Sequence, residues 1–222
     1  IWHWEKVSNW AIKNGYEFSD SIQLRKKGPY WYTDDSELIF PMNMVNWYDA
    51  IKWCNARSEL EGRTPVYYTD SSYDSIYKKG EIDLDESQVA WNFSGYRLPT
   101  EGEWEFAARG NAYSLNYPWG NVLDGSRANY FQSGDPFDNA STPVGYFNGN
   151  QKIIDAANSF NGENVKAKNQ ISKFGLYDIV GNVSEWCWDW YYDSWYSESK
   201  AREKDTRGPS FDFVLANTGS HI

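Results

Sequence analysis

Two cysteines and two histidines are the whole stock of thiol and imidazole groups in this 222-residue chain. Cys54 falls at a core-facing position of an expected helix, Cys187 lies in a tryptophan-rich stretch, and His3 and His221 sit near opposite ends. Copper or iron chemistry needs a converging set of such ligands, and these positions do not supply one. No spacing rule pairs the cysteines; they read as two separately buried thiols, the usual fate of free cysteine. Carboxylates are plentiful, as in "DLDES" at residues 83–87 and at Asp193, but acids on turns are usually solvated rather than set up for proton transfer. The remaining chemistry-bearing side chains are aromatic. Trp195 and Tyr196 in "YYDSWYSES" read either as contact residues for a ligand or as rings packed over an irregular core.

Composition narrows the classes further. The formal charge is −10, which argues against a nucleic-acid partner, because phosphates call for Lys and Arg. No apolar run approaches the length that spans a bilayer. Thirteen Trp, 17 Tyr and 11 Phe predict a core of large rigid rings whose polar tips need partners, and 17 Gly predict many corners.

The elements that would position these residues are few. Residues 4–14 place Val7, Trp10 and Ala11 on one helical face, with Gly15 as a stop. Residues 19–40 form a long polar connection without a period. Asn46 is an N-cap candidate, and Trp47, Ala50, Ile51 and Cys54 form a helical stripe ending near Gly62. "PVYYT" reads as a short strand, followed by a polar excursion from Asp70 to Gln88. In "GYRLPTEGEWEFAARG" a short strand precedes a helix that opens on a Thr100–Glu103 capping box and closes at Gly110. From Gly110 to Lys173 turns dominate, and about sixty residues without periodicity need internal staples. Trp186, Trp188 and Trp190 recur at period two, predicting a strand with one aromatic face.

The blocks "GYRLPTEGEWEFAARG", "YPWGN", "RANYF", "TPVGYF" and "FGLYDIVGNVSEWCWDWY", in this order and preceded by "MVNWYDAIKWCNARS", resemble the formylglycine-generating enzyme (sulfatase-modifying factor) family over roughly residues 40–193. The resemblance implies an irregular α+β fold of the C-type lectin type with little regular secondary structure. It also implies structural calcium. By motif, one ion would be held by Val180, Gly181, Val183 and Glu185, with Asn182 shaping the turn, and a second by Asn129, Tyr130, Asp135 and Phe137. Calcium takes oxygen ligands, and carbonyls freed by irregular loops are suitable donors. Against this stands the plainer possibility that Asp135 and Glu185 only cap turns.

The family's catalysts use a cysteine pair late in the domain, and related iron-dependent sulfoxide synthases a histidine cluster. Neither Cys54 nor Cys187 matches the catalytic positions. The family's arginine-rich "RGGSW" block is also absent, since Arg207-Gly208 runs directly into Phe211-Asp212-Phe213-Val214, expected as the closing strand. The expectation is one domain over residues 1–222, lacking residues upstream of 1 and between 207 and 211. Its expected role is a non-catalytic ligand-binding protein that shows a C-terminal, hypervariable surface to a protein or glycan. The variable proteins of diversity-generating retroelements are the nearest pattern, and they imply a bacterial cell surface, often with a lipid anchor. The alternatives are a formylglycine-generating oxidase or related redox enzyme whose active segment lies outside this chain, and a purely structural accessory domain.

Overall fold

The computed structural model describes residues 2–19, 40–110, 114–135, 137, 140–150, 152–153 and 165–218. Most of the 19–40 connection therefore lies outside the described residues. Regular structure is sparse. The helices are α1 (Trp2–Lys13), α2 (Trp47–Leu60), α3 (Glu101–Arg109) and α4 (Phe211–Thr218), and one antiparallel pair joins β1 (Lys152–Ile153) to β2 (Val165–Lys166). Single 3-10 turns occur at Glu86–Gln88, Trp195–Ser197 and Lys200–Arg202.

The described residues gather into two compact units. One comprises the described parts of Trp104–Glu185 with Trp2 and residues 40–43; the other comprises Met44–Glu103 with the described parts of His3–Leu24 and Trp186–Ile222.

In the second unit, α1 buries Val7 and Ala11 against Tyr16 and Ala56, which is the expected face. Asn46 caps α2 through its side-chain oxygen, which accepts from the Asp49 N–H at 2.7 Å. Ala50, Ile51 and Cys54 are buried as the stripe predicts, yet so are Asp49, Lys52, Asn55 and Ser58. These polar groups persist in the interior because each is paired. Lys52 lies 3.0 Å from Asp49, whose carboxylate also accepts from the Ser19 hydroxyl. Asn55 bonds the N–H groups of Val66 and Tyr67 and the carbonyls of Tyr67 and Tyr77, doing for an interrupted sheet what a neighbouring strand would do.

"PVYYT" is extended but forms only two isolated bridges, Tyr67 to Val89 and Tyr68 to Ile76. Ile51, Val66, Tyr67, Tyr77, Val89 and Trp188 form the main core here.

The Trp-rich segment is a correction. It is not a strand: the Trp188 N–H goes to the Pro99 carbonyl and the Trp190 N–H to the Pro209 carbonyl, two unconnected partners. Its rings do not share a face either, for Trp188 is in the core while Trp186 is 51% exposed.

The closing strand is a second correction, because Phe211–Thr218 is helical. The Ser210 hydroxyl accepts from the Phe213 N–H, and Phe211, Val214 and Leu215 fall at i, i+3 and i+4, a period hidden behind the alternation of Phe-Asp-Phe. Phe211 packs on Trp190, and Phe213 on Tyr192 and Trp195.

In the first unit, the long turn region is stapled by a small core of Phe40, Phe137, Tyr146, Phe147 and Ala167. Backbone bonds from Lys168 to Ser126 and from Gln170 to Phe147 tie distant turns together.

Candidate functional site

Glycine at position 181 is required twice over. Its φ is +82°, and a Cβ there would lie 2.2 Å from the Asn129 carbonyl oxygen. That close approach lets the Asn182 N–H reach the same carbonyl at 2.8 Å. The Asn182 side chain then bonds both the N–H and the carbonyl of Thr142. The structure thus places Asn129, from one sequence-derived set, directly on Gly181 and Asn182 of the other.

The two sets differ in the oxygens they offer. Among the described residues, the Val180 and Val183 carbonyls accept no hydrogen bond, while that of Gly181 accepts from the Val183 N–H. Glu185 is exposed overall, but its carboxyl is pushed up from the usual range, first by burial and then by the nearby Asp178 charge. The indole N–H of Trp104, donated from α3 at 2.8 Å, opposes this. A carboxylate with one donor and two carbonyls with none among the described residues are oxygens of the kind that calcium takes.

In the other set the oxygens are engaged. Asp135 is buried, with one oxygen accepting from the Phe137 N–H at 2.7 Å and the other from the Ser133 hydroxyl at 2.5 Å. The Tyr130 carbonyl accepts from Ser133, and that of Phe137 from Ala140. The turn-capping role of Asp135 is therefore visible.

Sequence reasoning missed Asp178. One of its carboxylate oxygens accepts from the Gly145 N–H, and the other is buried without a partner among the described residues. Burial raises its carboxyl above the ordinary value, against the Gly145 N–H bond, and its backbone is left-handed at a φ of +58°. The signal was the "GLYD" acid two residues before Val180, on a turn that needs left-handed backbone. The role of α3 was also wider than a capped scaffold helix, since its Trp104 positions Glu185.

The thiols are placed apart from this geometry. Cys54 is buried in the main core of the second unit, and burial pushes its thiol up to about 12, so it is no nucleophile near neutral pH. Cys187 is half-buried, and its carbonyl accepts from the Trp47 indole. Neither is in a disulfide among the described residues. His3 stacks edge-on against Trp53, and His221 lies outside the described residues.

Between Trp186 and Ser197 the aromatic rings run from buried to exposed, with Trp190 and Tyr192 half-buried. Trp188 and Trp195 are buried, so of the two readings of Trp195 the packed ring is the one seen, with its ring on Phe213. Trp186, Tyr191 and Tyr196 are 51%, 67% and 51% exposed. Two of these are anchored at their polar ends, the Trp186 N–H to the Val45 carbonyl and the Tyr196 hydroxyl to Glu101. Beside Val45, Met44 is exposed at a φ of +58°, an unusual conformation for a side chain of its size.

Sparse helices, minimal strand and a turn-built carboxylate site define an irregular α+β protein of the C-type lectin type. The chain belongs to the sulfatase-modifying factor enzyme 1-like domain family, whose profile matches residues 5–219. It is 34% identical over 153 residues to a protein named chaperone protein LppX from Paenibacillus barcinonensis, covering 68% of this chain and 52% of that one. With the formylglycine-generating enzyme of Thermomonospora curvata it shares 39% identity over 132 residues, 54% of this chain and 39% of the enzyme. The bovine inactive C-alpha-formylglycine-generating enzyme 2 is 39% identical over 44% of this chain and 30% of its own length. The chain thus spans about half the length of LppX and less of the others. The crystal structure of CarF superposes with a TM-score of 0.59 at 28% identity, over 85% of this chain and 64% of CarF. Treponema denticola variable protein 1 shares the fold, with a TM-score of 0.50 at 24% identity over 93% and 64%. Among the described residues, no helix is long and apolar enough to cross a membrane.

Proposed function

We propose that this chain is a non-catalytic binding protein that presents an aromatic C-terminal surface to a protein or glycan ligand at a cell surface. One observation carries the reading. Trp186 and Tyr196 are half-exposed rings fixed by hydrogen bonds at their polar ends, in a segment anchored by the buried rings of Trp188 and Trp195. Rigid rings of this kind bind with little loss of conformational freedom. The chemistry of the thiols supports it, since Cys54 is buried and strongly disfavours its thiolate. So do relatives named as a chaperone and as an inactive enzyme. The variable proteins of diversity-generating retroelements extend the same reading, with the departure after Arg207 as their variable segment. In this reading calcium at Val180, Gly181, Val183 and Glu185 is structural. An ion at Asn129, Tyr130, Asp135 and Phe137 would share oxygens that already accept hydrogen bonds.

The test pairs an array of glycans and surface proteins with Trp186→Ala and Tyr191→Ala. Each substitution lowers binding of any retained ligand roughly tenfold or more while the folded spectrum persists. Copper-loaded protein that converts the cysteine of a model peptide to formylglycine would overturn the reading in favour of the oxidase.

A further inference from the structure

Arg207 has no hydrogen-bond acceptor and no ion-pair partner among the described residues, although it is only partly exposed in a chain of charge −10. Arginines removed from water are normally paired. Every other described arginine except the exposed Arg202 has a carboxylate or carbonyl to hold. The Arg207 guanidinium lies 4.2 Å from the centroid of the Trp91 ring. A second guanidinium, that of Arg97, lies 5.0 Å from the same ring, but it is spent on Glu103 through two bonds of 2.6 and 2.7 Å. Trp188 meets Trp91 edge-on and fixes it from the core side. The Trp91 indole N–H is itself without an acceptor.

The backbone beside Arg207 is equally constrained. Gly208 has a φ of +82°, and a Cβ on it would fall 2.2 Å from the Asp189 side chain. No larger residue fits, so the direction in which Arg207 leaves the chain is set by close packing.

We propose that Arg207, held on Trp91, forms a carboxylate-binding subsite of the ligand surface. Stacking on an indole immobilises a guanidinium while leaving its N–H edge available, and that edge matches the two oxygens of a carboxylate. Glu103, bonded to Arg97 and within electrostatic reach of Arg207, and Asp189 against Gly208 put negative groups nearby, which disfavours a dianion such as phosphate. The subsite therefore selects a single negative charge, and an acidic side chain or chain end of a protein and a uronate of a glycan both carry one. The inference rests on the binding reading, yet its test is separate from Trp186 and Tyr191.

The experiment follows the arginine Nε–Hε resonances of the full chain by NMR during titration with N-acetylglutamate, glucuronate or inorganic phosphate. Arg207 shifts saturably in the millimolar range with the carboxylates, while Arg202 moves little. Arg207→Lys keeps the charge and loses the two-pronged geometry, so the perturbations at the Trp91 indole N–H weaken about tenfold or more. Arg207→Gln abolishes them, and near-UV circular dichroism of both variants confirms that they are folded. Tighter binding of N-acetylglutamate names a protein partner, and tighter binding of glucuronate a glycan. A linear response shared by Arg202 overturns the subsite, as does a Lys variant that binds like the parent. Phosphate binding tighter than either carboxylate overturns its assigned chemistry. Loss of array binding in the Trp186 and Tyr191 variants with an unresponsive Arg207 would remove this inference alone.

Discussion

Asp189 shows how one carboxyl can set a pH dependence. Its Oδ1 accepts from the Glu101 N–H at 2.7 Å, at the start of α3, and burial pushes its carboxyl up to about 6 against that bond. The folded state therefore holds this proton more tightly than the unfolded chain, whose carboxyl stays near 3.8. Stability from this group is complete below the unfolded value and is lost as pH rises from about 4 to about 6. The loss amounts to at most about 3 kcal/mol. Asp189→Asn keeps an acceptor for Glu101 without the buried charge. Urea denaturation across pH should show the variant more stable at pH 7 by about 1–3 kcal/mol and flatter between pH 4 and 6. A variant with the parent's slope would place the pH dependence elsewhere.

At the scale of elements, α3 is where sequence and structure agree most closely. The Glu103 N–H donates to the Thr100 hydroxyl at 3.2 Å, and the Glu103 carboxylate accepts from the Thr100 N–H at 2.9 Å. The capping box was legible because it is local: four residues contain all its partners. Thr100→Ala should cost about 1 kcal/mol and lower the melting temperature by about 2–4 °C in calorimetry; an unchanged melting temperature would show that Arg97 alone holds the helix start. The N-cap of α2 and the buried stripes of α1 and α2 were legible for the same reason. The Trp-rich segment was not, because strand identity depends on a neighbour, and Pro99 and Pro209 supply one bond each instead of a ladder. Nor was α4, whose Ser210 cap was overlooked beside the stronger alternation of Phe211, Asp212 and Phe213. Asp178 escaped notice because its partner, the Gly145 N–H, is remote in sequence. The candidate calcium residues were found only through motif resemblance; nothing in their spacing discloses that Gly181 must touch the Asn129 carbonyl.

For the whole molecule, the question is what holds a chain with so little ladder structure and a formal charge of −10. Each unit has a small aromatic core, and in the unit that contains Glu185 the turns depend on scattered backbone bonds. A bound divalent cation would relieve charge repulsion and join Val180, Val183 and Glu185 into one node. Because a native-state ligand stabilises by mass action, calcium at about a hundred times its dissociation constant should add about 2.7 kcal/mol. For a domain of this size that raises the melting temperature by roughly 5–10 °C, reversed by a chelator. Glu185→Gln can still accept from the Trp104 indole, so its metal-free melting temperature should stay near the parent's while the calcium response disappears. The response should also fade on acidification, since burial and Asp178 raise the Glu185 carboxyl and protons then compete with the ion. Equal calcium responses in parent and variant would move the ion away from Glu185. A parent indifferent to calcium would leave the Gly181–Asn129 contact and the Asn182 bridge as the staples of that turn.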